Sequence, residues 1–198
     1  MNMMRFTTMK TKLRKYPSIF LILLLAISSC FLTGCVNQHP KDSKKSSQGE
    51  SVETMLEITD PKEKQAVLNA KAKVKALSGN PRIVATSPAV ADICDKLDLD
   101  LVGVPKSSVS KIPSRYKKVK KVGLAMSPDM EIVSSLNPDW ILAPSSLETD
   151  LKPKFEELKN TEYAFLNLRS VQGMYRSVQE LGEIFGKQQE AEKMTKEF

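Results

Sequence analysis

The chain has 198 residues, with 30 Lys and Arg against 23 Asp and Glu, a formal net charge of +7, 41% hydrophobic residues and three cysteines. Five of the positive charges, Arg5, Lys10, Lys12, Arg14 and Lys15, lie in the first 34 residues, which hold no acidic residue, so the remainder carries 7 − 5 = +2 and its charge balance does not point to nucleic acid. Cys30 falls in that first segment, Cys35 directly follows it and Cys94 is the third; with Cys35 taken up by lipid, as expected below, Cys94 alone remains and no disulfide or cysteine zinc site can be built within one chain.

The first predicted element is a targeting segment. The five basic residues precede an uncharged apolar run from Ile19 to Leu32. That run is short for a membrane span, which needs about 20 residues. It ends in Leu32-Thr33-Gly34-Cys35. A small residue before a cysteine, after such a run, resembles the bacterial lipoprotein signal. The resemblance implies cleavage before Cys35, leaving 198 − 34 = 164 residues. Lipid on Cys35 would then hold the chain on the extracytoplasmic face of the cell membrane, and more than one acyl chain is needed for stable attachment. Residues 35–58 form the lipidated cysteine and its tether. Val36 to Ser51 is rich in Lys, Ser, Gln and Asp and lacks the apolar residues that offset ordering entropy, so it is expected to be flexible. The single histidine, His39, sits there with no second ligand nearby, which argues against a metal site.

Asp60-Pro61-Lys62-Glu63 predicts a helix start, with Asp60 as N-cap, Pro61 in the first turn and Glu63 at the capping-box position; Gly79 and Pro81 close it. From Arg82 the pattern alternates. Strands are predicted at Arg82–Thr86, Leu99–Val104, Asp139–Ala143 and Tyr163–Leu168. Between them run helical stripes of Val90, Ile93, Cys94 and Leu97, then Ile132, Val133 and Leu136, with Ser127-Pro128-Asp129 as the cap of the latter. Leu147, Leu151, Phe155 and Leu158 give a further stripe in which Pro153 marks a kink or the true start. Val171, Met174, Tyr175, Val178, Leu181 and Phe185 give the cleanest one. A basic loop spans Pro105 to Lys121, where the lysines at 117, 118, 120 and 121 read as a solvated face. Strand–helix alternation of this kind predicts an α/β, Rossmann-like parallel sheet with helices on both faces, over residues 59–186. Cys94, on the apolar side of its helix, reads as a small buried hydrophobe.

Ligands of parallel sheets gather outside the carboxyl ends of the strands. That selects the turns after Thr86, Val104 and Ala143 and the loop around Gly123. None holds a GxGxxG or GxxxxGK[ST] signature, and no Ser/His/Asp set can form. Enzymatic chemistry therefore has little to work with.

These stretches resemble the N-terminal lobe of the substrate-binding lipoproteins that serve iron-chelate, haem and cobalamin ABC importers, with the haem receptors of the iron-regulated surface determinant type nearest. The resemblance is carried by Arg82-Ile83-Val84 to Asp92, Leu99-Asp100-Leu101-Val102-Gly103, Ile112-Pro113-Ser114-Arg115-Tyr116-Lys117 and Val122-Gly123. It continues through Met126-Ser127-Pro128-Asp129-Met130-Glu131 and Leu136-Asn137-Pro138-Asp139-Trp140-Ile141-Leu142-Ala143. It implies a two-lobe receptor joined by one long helix, with ligand held between the lobes. Here it covers one lobe and, at 187–198, the start of the joining helix. Either the chain is a fragment or truncated product, or the family's function transfers only in part.

The resemblance assigns Met126 as an axial ligand of haem iron, the partner ligand being a histidine of the second lobe. A neutral thioether suits haem, although a methionine also fills core gaps. Haem propionates would be met by Thr86, Ser87 and Ala89 at a helix N-terminus, and by Ser107 and Ser108 in the next turn; Ser87 also reads as a plain helix cap, and Pro88 removes one donor. Glu131 matches the rim glutamate that docks on the ABC importer permease, and equally suits a helix's first turn. The expected function is haem delivery for iron uptake. The alternatives are a ferric siderophore or cobalamin on the same scaffold, or a truncated surface lipoprotein without binding.

Overall fold

The computed structural model describes residues 60–196. The expected signal segment 1–34, Cys35, the expected tether with His39, and Phe198 lie outside the described residues.

Helix α1 (Pro61–Lys75) starts as predicted: the Asp60 carboxylate accepts from Lys62 N at 2.8 Å. Glu63 does not act as a capping-box residue. It is buried, and no donor among the described residues reaches either of its oxygens. Strand β1 (Ile83–Ala85) follows, then α2 (Pro88–Lys96) and β2 (Leu101–Val104). The predicted basic loop is partly ordered. It contains a 3-10 turn, Ser114–Tyr116, and a two-residue strand, β3 (Lys120–Lys121). Strand β3 has no apolar residue, so periodicity has nothing to detect.

A hairpin of β4 (Gly123–Leu124) and β5 (Ser127–Pro128) comes next. Ser127 and Pro128 therefore belong to a strand, and Asp129 alone caps α3 (Met130–Ser135), accepting from Glu131 N and Ile132 N. Strand β6 (Trp140–Pro144), helix α4 (Glu148–Glu156), strand β7 (Glu162–Leu166) and helix α5 (Val171–Phe185) complete the alternation. Pro153 lies inside α4, which begins five residues earlier. Gly186, left-handed at φ 71°, ends α5, and α6 (Gln188–Lys196) turns back against it. Ala191 and Met194 of α6 are buried in the core.

The five main strands pair in parallel in the order β3-β2-β1-β6-β7. Side chains alternate across the sheet, as a two-residue period requires. Ile83, Ala85, Trp140, Leu142, Ala164 and Leu166 face one core, covered by α1, α2, α5 and α6. Val84, Ile141, Ala143, Tyr163 and Phe165 face the other, covered by α3 and α4. The expected Rossmann-like sheet with helices on both faces is the observed architecture. Cys94 is fully buried, and burial pushes its thiol up to about 12, which leaves it unreactive.

The amino ends of the strands are tied by polar contacts. The Arg82 guanidinium donates to Leu136 O at 2.7 Å, and Arg82 N donates to Asp139 Oδ2 at 2.8 Å. Arg115 bridges Asp98 (2.9 Å) and Asp100 (2.8 Å), while Lys187, between α5 and α6, reaches Asp98 at 2.8 Å. Lys187 foremost, then Arg115, lowers the pKa of Asp98.

Candidate functional site at the carboxyl ends of the strands

Strands that run in one direction leave all their exits at one end. Residues 86–87 leave β1, 105–113 leave β2, the hairpin leaves β3, 145–147 leave β6 and 167–170 leave β7.

The hairpin is the most constrained of these exits. Val122 N donates to Val104 O at 2.9 Å, Lys106 N to Gly123 O at 2.7 Å, and Asp129 N to Val122 O at 2.7 Å. It is thus fastened to the end of β2 and to the cap of α3. Gly123 has φ 96°, and a Cβ there would stand 2.9 Å from Asp129 N and 3.1 Å from Ser127 O. Both obstacles are backbone, so they cannot swing aside. Gly123→Ala is expected to destabilise by about 2 kcal/mol or more, from left-handed strain plus overlap. Chemical denaturation checks it, and an unchanged midpoint would show that the hairpin is not held as described.

Ala125 and Met126 form the tip. Met126 is 73% exposed, so it fills no core gap. Of the other large exposed apolar residues described, Leu68 (46%) is on α1 and three lie at the same end as Met126. Leu124 (59%) is in the hairpin, Val109 (93%) follows β2, and Val171 (63%) opens α5 after β7. Of these, Val171 was expected in a helix's core stripe; it stands at the first position of α5, before the buried face begins. Val109 and Leu124 carry no sequence signal, because single apolar residues in loops are common. Together the four give the end of the sheet an apolar character that water does not favour.

The polar candidates divide. Thr86 is buried, and its hydroxyl donates to Leu142 O at 3.4 Å. Ser87 caps α2, its hydroxyl accepting from Val90 N at 3.3 Å. Both hydroxyls are engaged inside the lobe. Ala89 is exposed at the second helical position, where an N–H has no intrahelical acceptor. It is the group of that turn best placed to meet an anion. Ser107 Oγ accepts from Ser110 N at 3.0 Å, whereas Ser108 is exposed. Arg169, also exposed, lies in the exit of β7, and sequence reasoning did not single it out. Glu131 is exposed at the start of α3, directly after the hairpin. The structure thus brings Met126, Ala89, Ser108 and Glu131 to one end, and turns Thr86 inward. Cys35 lies outside the described residues. No group of His, Cys, Asp and Glu able to hold a metal ion occurs among the described residues.

Comparison with known proteins bears on the family and the fold. The periplasmic binding protein family model matches residues 83–198. The chain is 36% identical over 117 residues to the high-affinity heme uptake system protein IsdE of Staphylococcus aureus strain Newman, a stretch covering 59% of this chain and 39% of that protein. Among solved structures, an ABC transporter substrate-binding protein of Listeria monocytogenes EGD-e superposes with a TM-score of 0.58 at 44% identity, covering 60% of this chain and 45% of that one. IsdE of S. aureus complexed with heme gives 0.57 at 34% identity, with the same coverages of 60% and 45%. The siderophore-binding protein BauB, bound to acinetobactin and ferric iron, gives 0.53 at 25% identity, covering 61% and 45%. The chain spans less than half the length of each of these proteins.

Proposed function

We propose that this chain, which belongs to the periplasmic binding protein family, is the N-terminal lobe of a haem-binding surface lipoprotein that delivers haem to an ABC importer for iron acquisition. Lipid on Cys35 anchors it at the extracytoplasmic face of the cell membrane. The observation that carries the reading is Met126, 73% exposed on a fastened hairpin, with Leu124, Val109 and Val171 exposed at the same end. A flat apolar macrocycle with a thioether-seeking iron fits such a surface, and its propionates fit the Ala89 N–H, the Ser108 hydroxyl and Arg169. The likeness to IsdE, solved with heme, supports the same ligand. Glu131, one turn beyond the hairpin, is the residue we assign to docking on a permease arginine. Helix α6, packed on α5 and α2, leads toward the joining helix of such receptors.

The test is an absorbance titration of residues 36–198 with ferric and ferrous haem, beside Met126→Ala. A saturable one-to-one Soret shift is expected. Met126→Ala should move the band and weaken binding about tenfold or more, since an iron–sulfur bond worth over about 1.4 kcal/mol is lost. Folded protein without a saturable shift would sink haem binding by this lobe.

A second reading is a ferric siderophore or cobalamin, favoured by the likeness to BauB. Those ligands bring a fully chelated metal, so Met126→Ala would leave their binding unchanged. A folded lobe that takes none of the three would instead be a surface lipoprotein without binding function.

A further inference from the structure

Charge is distributed unevenly along this chain. From residue 101 to 128 there are seven basic residues and no carboxylate. One of the seven, Arg115, is neutralised by Asp98 and Asp100. The other six, Lys106, Lys111, Lys117, Lys118, Lys120 and Lys121, are all exposed, and none is ion-paired among the described residues. They lie along one side of the molecule: the last two form β3, the outermost strand of the sheet, and the others flank it in the segment that leads from β2. Residues 129–196, which include the opposite edge strand β7, carry 12 acidic and 8 basic residues. The stretch 101–128 thus stands out as a basic band, followed along the chain by a net acidic one.

Lysines on an edge strand discourage pairing with another chain. That accounts for Lys120 and Lys121. It does not account for four more lysines away from the strand, nor for the lack of any acidic residue over the whole stretch. Six unneutralised cations in one band repel each other, and an external polyanion relieves the repulsion.

We propose that the β3 edge is a membrane-docking surface, taking the phosphate headgroups of anionic lipid in the bilayer that carries the Cys35 lipid. Two features select a membrane as the polyanion. One is charge: a broad band of lysine point charges suits a phosphate-covered plane, whereas a small anion would be held by a pocket with planar guanidinium groups. The other is reach. The chain between Cys35 and Asp60 has 59 − 35 = 24 residues, which span roughly 80 Å at most, so the lobe cannot leave the vicinity of the bilayer. Lying on its β3 edge, the lobe would hold the exit end with Met126 and Glu131 beside the bilayer plane instead of sampling all orientations. The proposal rests on the lipid-anchor reading for the nearness of a membrane, but not on the identity of the ligand.

The experiment uses the mature chain without lipid, residues 36–198, which keeps every residue of both cores. Flotation is measured with vesicles of equal phosphatidylglycerol and phosphatidylcholine, and with phosphatidylcholine alone. Binding is expected only to the anionic vesicles, and to vanish at 1 M salt, where the screening length falls to about 3 Å. Each lysine near such a surface strengthens binding about fivefold. The variant Lys117→Gln/Lys118→Gln/Lys120→Gln/Lys121→Gln should therefore bind at least about 100-fold more weakly, with unchanged circular dichroism. Lys152→Gln/Lys154→Gln, on α4, should bind as the parent does. Equal flotation with neutral vesicles, none with anionic ones, or an unaffected fourfold variant would each overturn the proposal. Palmitate labelling of Cys35 in cells tests the anchor separately: a labelled chain whose lipid-free form ignores anionic vesicles would sink the docking edge and leave the anchor standing.

Discussion

Replacing Phe155 by alanine is expected to destabilise the lobe by about 3–5 kcal/mol, the range for deleting a buried aromatic ring. Phe155 is fully buried on α4. Its ring stacks on Phe165 at 5.8 Å and 16°, and meets Tyr163 at 5.9 Å, while Tyr163 and Phe165 contact each other edge-on at 5.8 Å. The three rings join α4 to β7, and truncating one leaves the other two facing a void. Collapse into that void is restricted, since Tyr163 is also held by its hydroxyl, which donates to Glu156 Oε1 at 3.1 Å. A loss of this size is a large share of the 5–15 kcal/mol that keeps a typical domain folded, and should lower Tm by roughly 10 °C or more. The only tryptophan, Trp140, belongs to the core on the other face of the sheet, so its fluorescence reports global unfolding and not local repacking. A midpoint within about 2 °C of the parent would mean that α4 does not carry the second core.

Both cores were legible before the structure. The apolar runs at Arg82–Thr86, Asp139–Ala143 and Tyr163–Leu168 are strands because they are buried on both faces, and the stripes between them have helical spacing. What escaped is what spacing does not encode. The hairpin at Gly123–Pro128 turns through Ala125 and Met126, neither of which has positive φ, so the Gly or Asn that usually marks a two-residue turn is absent. Strand β3 is two lysines, invisible to an apolar pattern. In the candidate site, residue chemistry alone left Met126 open between core filler and ligand. The family resemblance favoured the ligand, and exposure at the hairpin tip removes the filler. Ser87 was open between propionate contact and helix cap, and its hydroxyl takes Val90 N as a cap; that the Thr86 hydroxyl turns to Leu142 O depends on how β1 meets β6, which spacing does not encode. Glu63 was assigned to a cap by local spacing, and tertiary packing overrode it with a partner 117 residues away in the chain, Glu180.

That partnership leads to the second large effect: the folded lobe should lose stability as pH rises from about 5 to 9, and Glu180→Gln should remove most of the loss. Glu63 on α1 and Glu180 on α5 are buried against each other, 8% and 1% exposed. With both ionised, neither Glu63 oxygen nor Glu180 Oε2 finds a donor among the described residues. A shared proton pairs one oxygen of each side chain, because a protonated carboxyl donates to its neighbour. Burial foremost, then the Glu63 charge and its hydrogen bond, raises the pKa of Glu180 to about 9, against the opposing pull of Arg176. Burial likewise raises Glu63, and Asp60 adds to it, while the Glu180 hydrogen bond and Arg176 lower it. A carboxyl raised in the folded state binds a proton that the unfolded chain has already released above pH 4.5. Its contribution is complete below that value and fades as pH climbs through about 9. The slope is at most about 1.4 kcal/mol per pH unit, so about 4 kcal/mol separates pH 5 from pH 8 as an upper bound. Loosening should begin at α1, whose remaining ties to the body include the Lys71–Glu183 and Lys73–Glu162 ion pairs and the packing of Val67 and Ala70. Glutamine at 180 keeps the shape and supplies a permanent donor to Glu63, so the variant should match the parent near pH 5 and exceed it at pH 8. Denaturation midpoints of both proteins across this range decide the matter. Parallel curves, or a parent whose stability does not fall with pH, would show that no proton is held between α1 and α5.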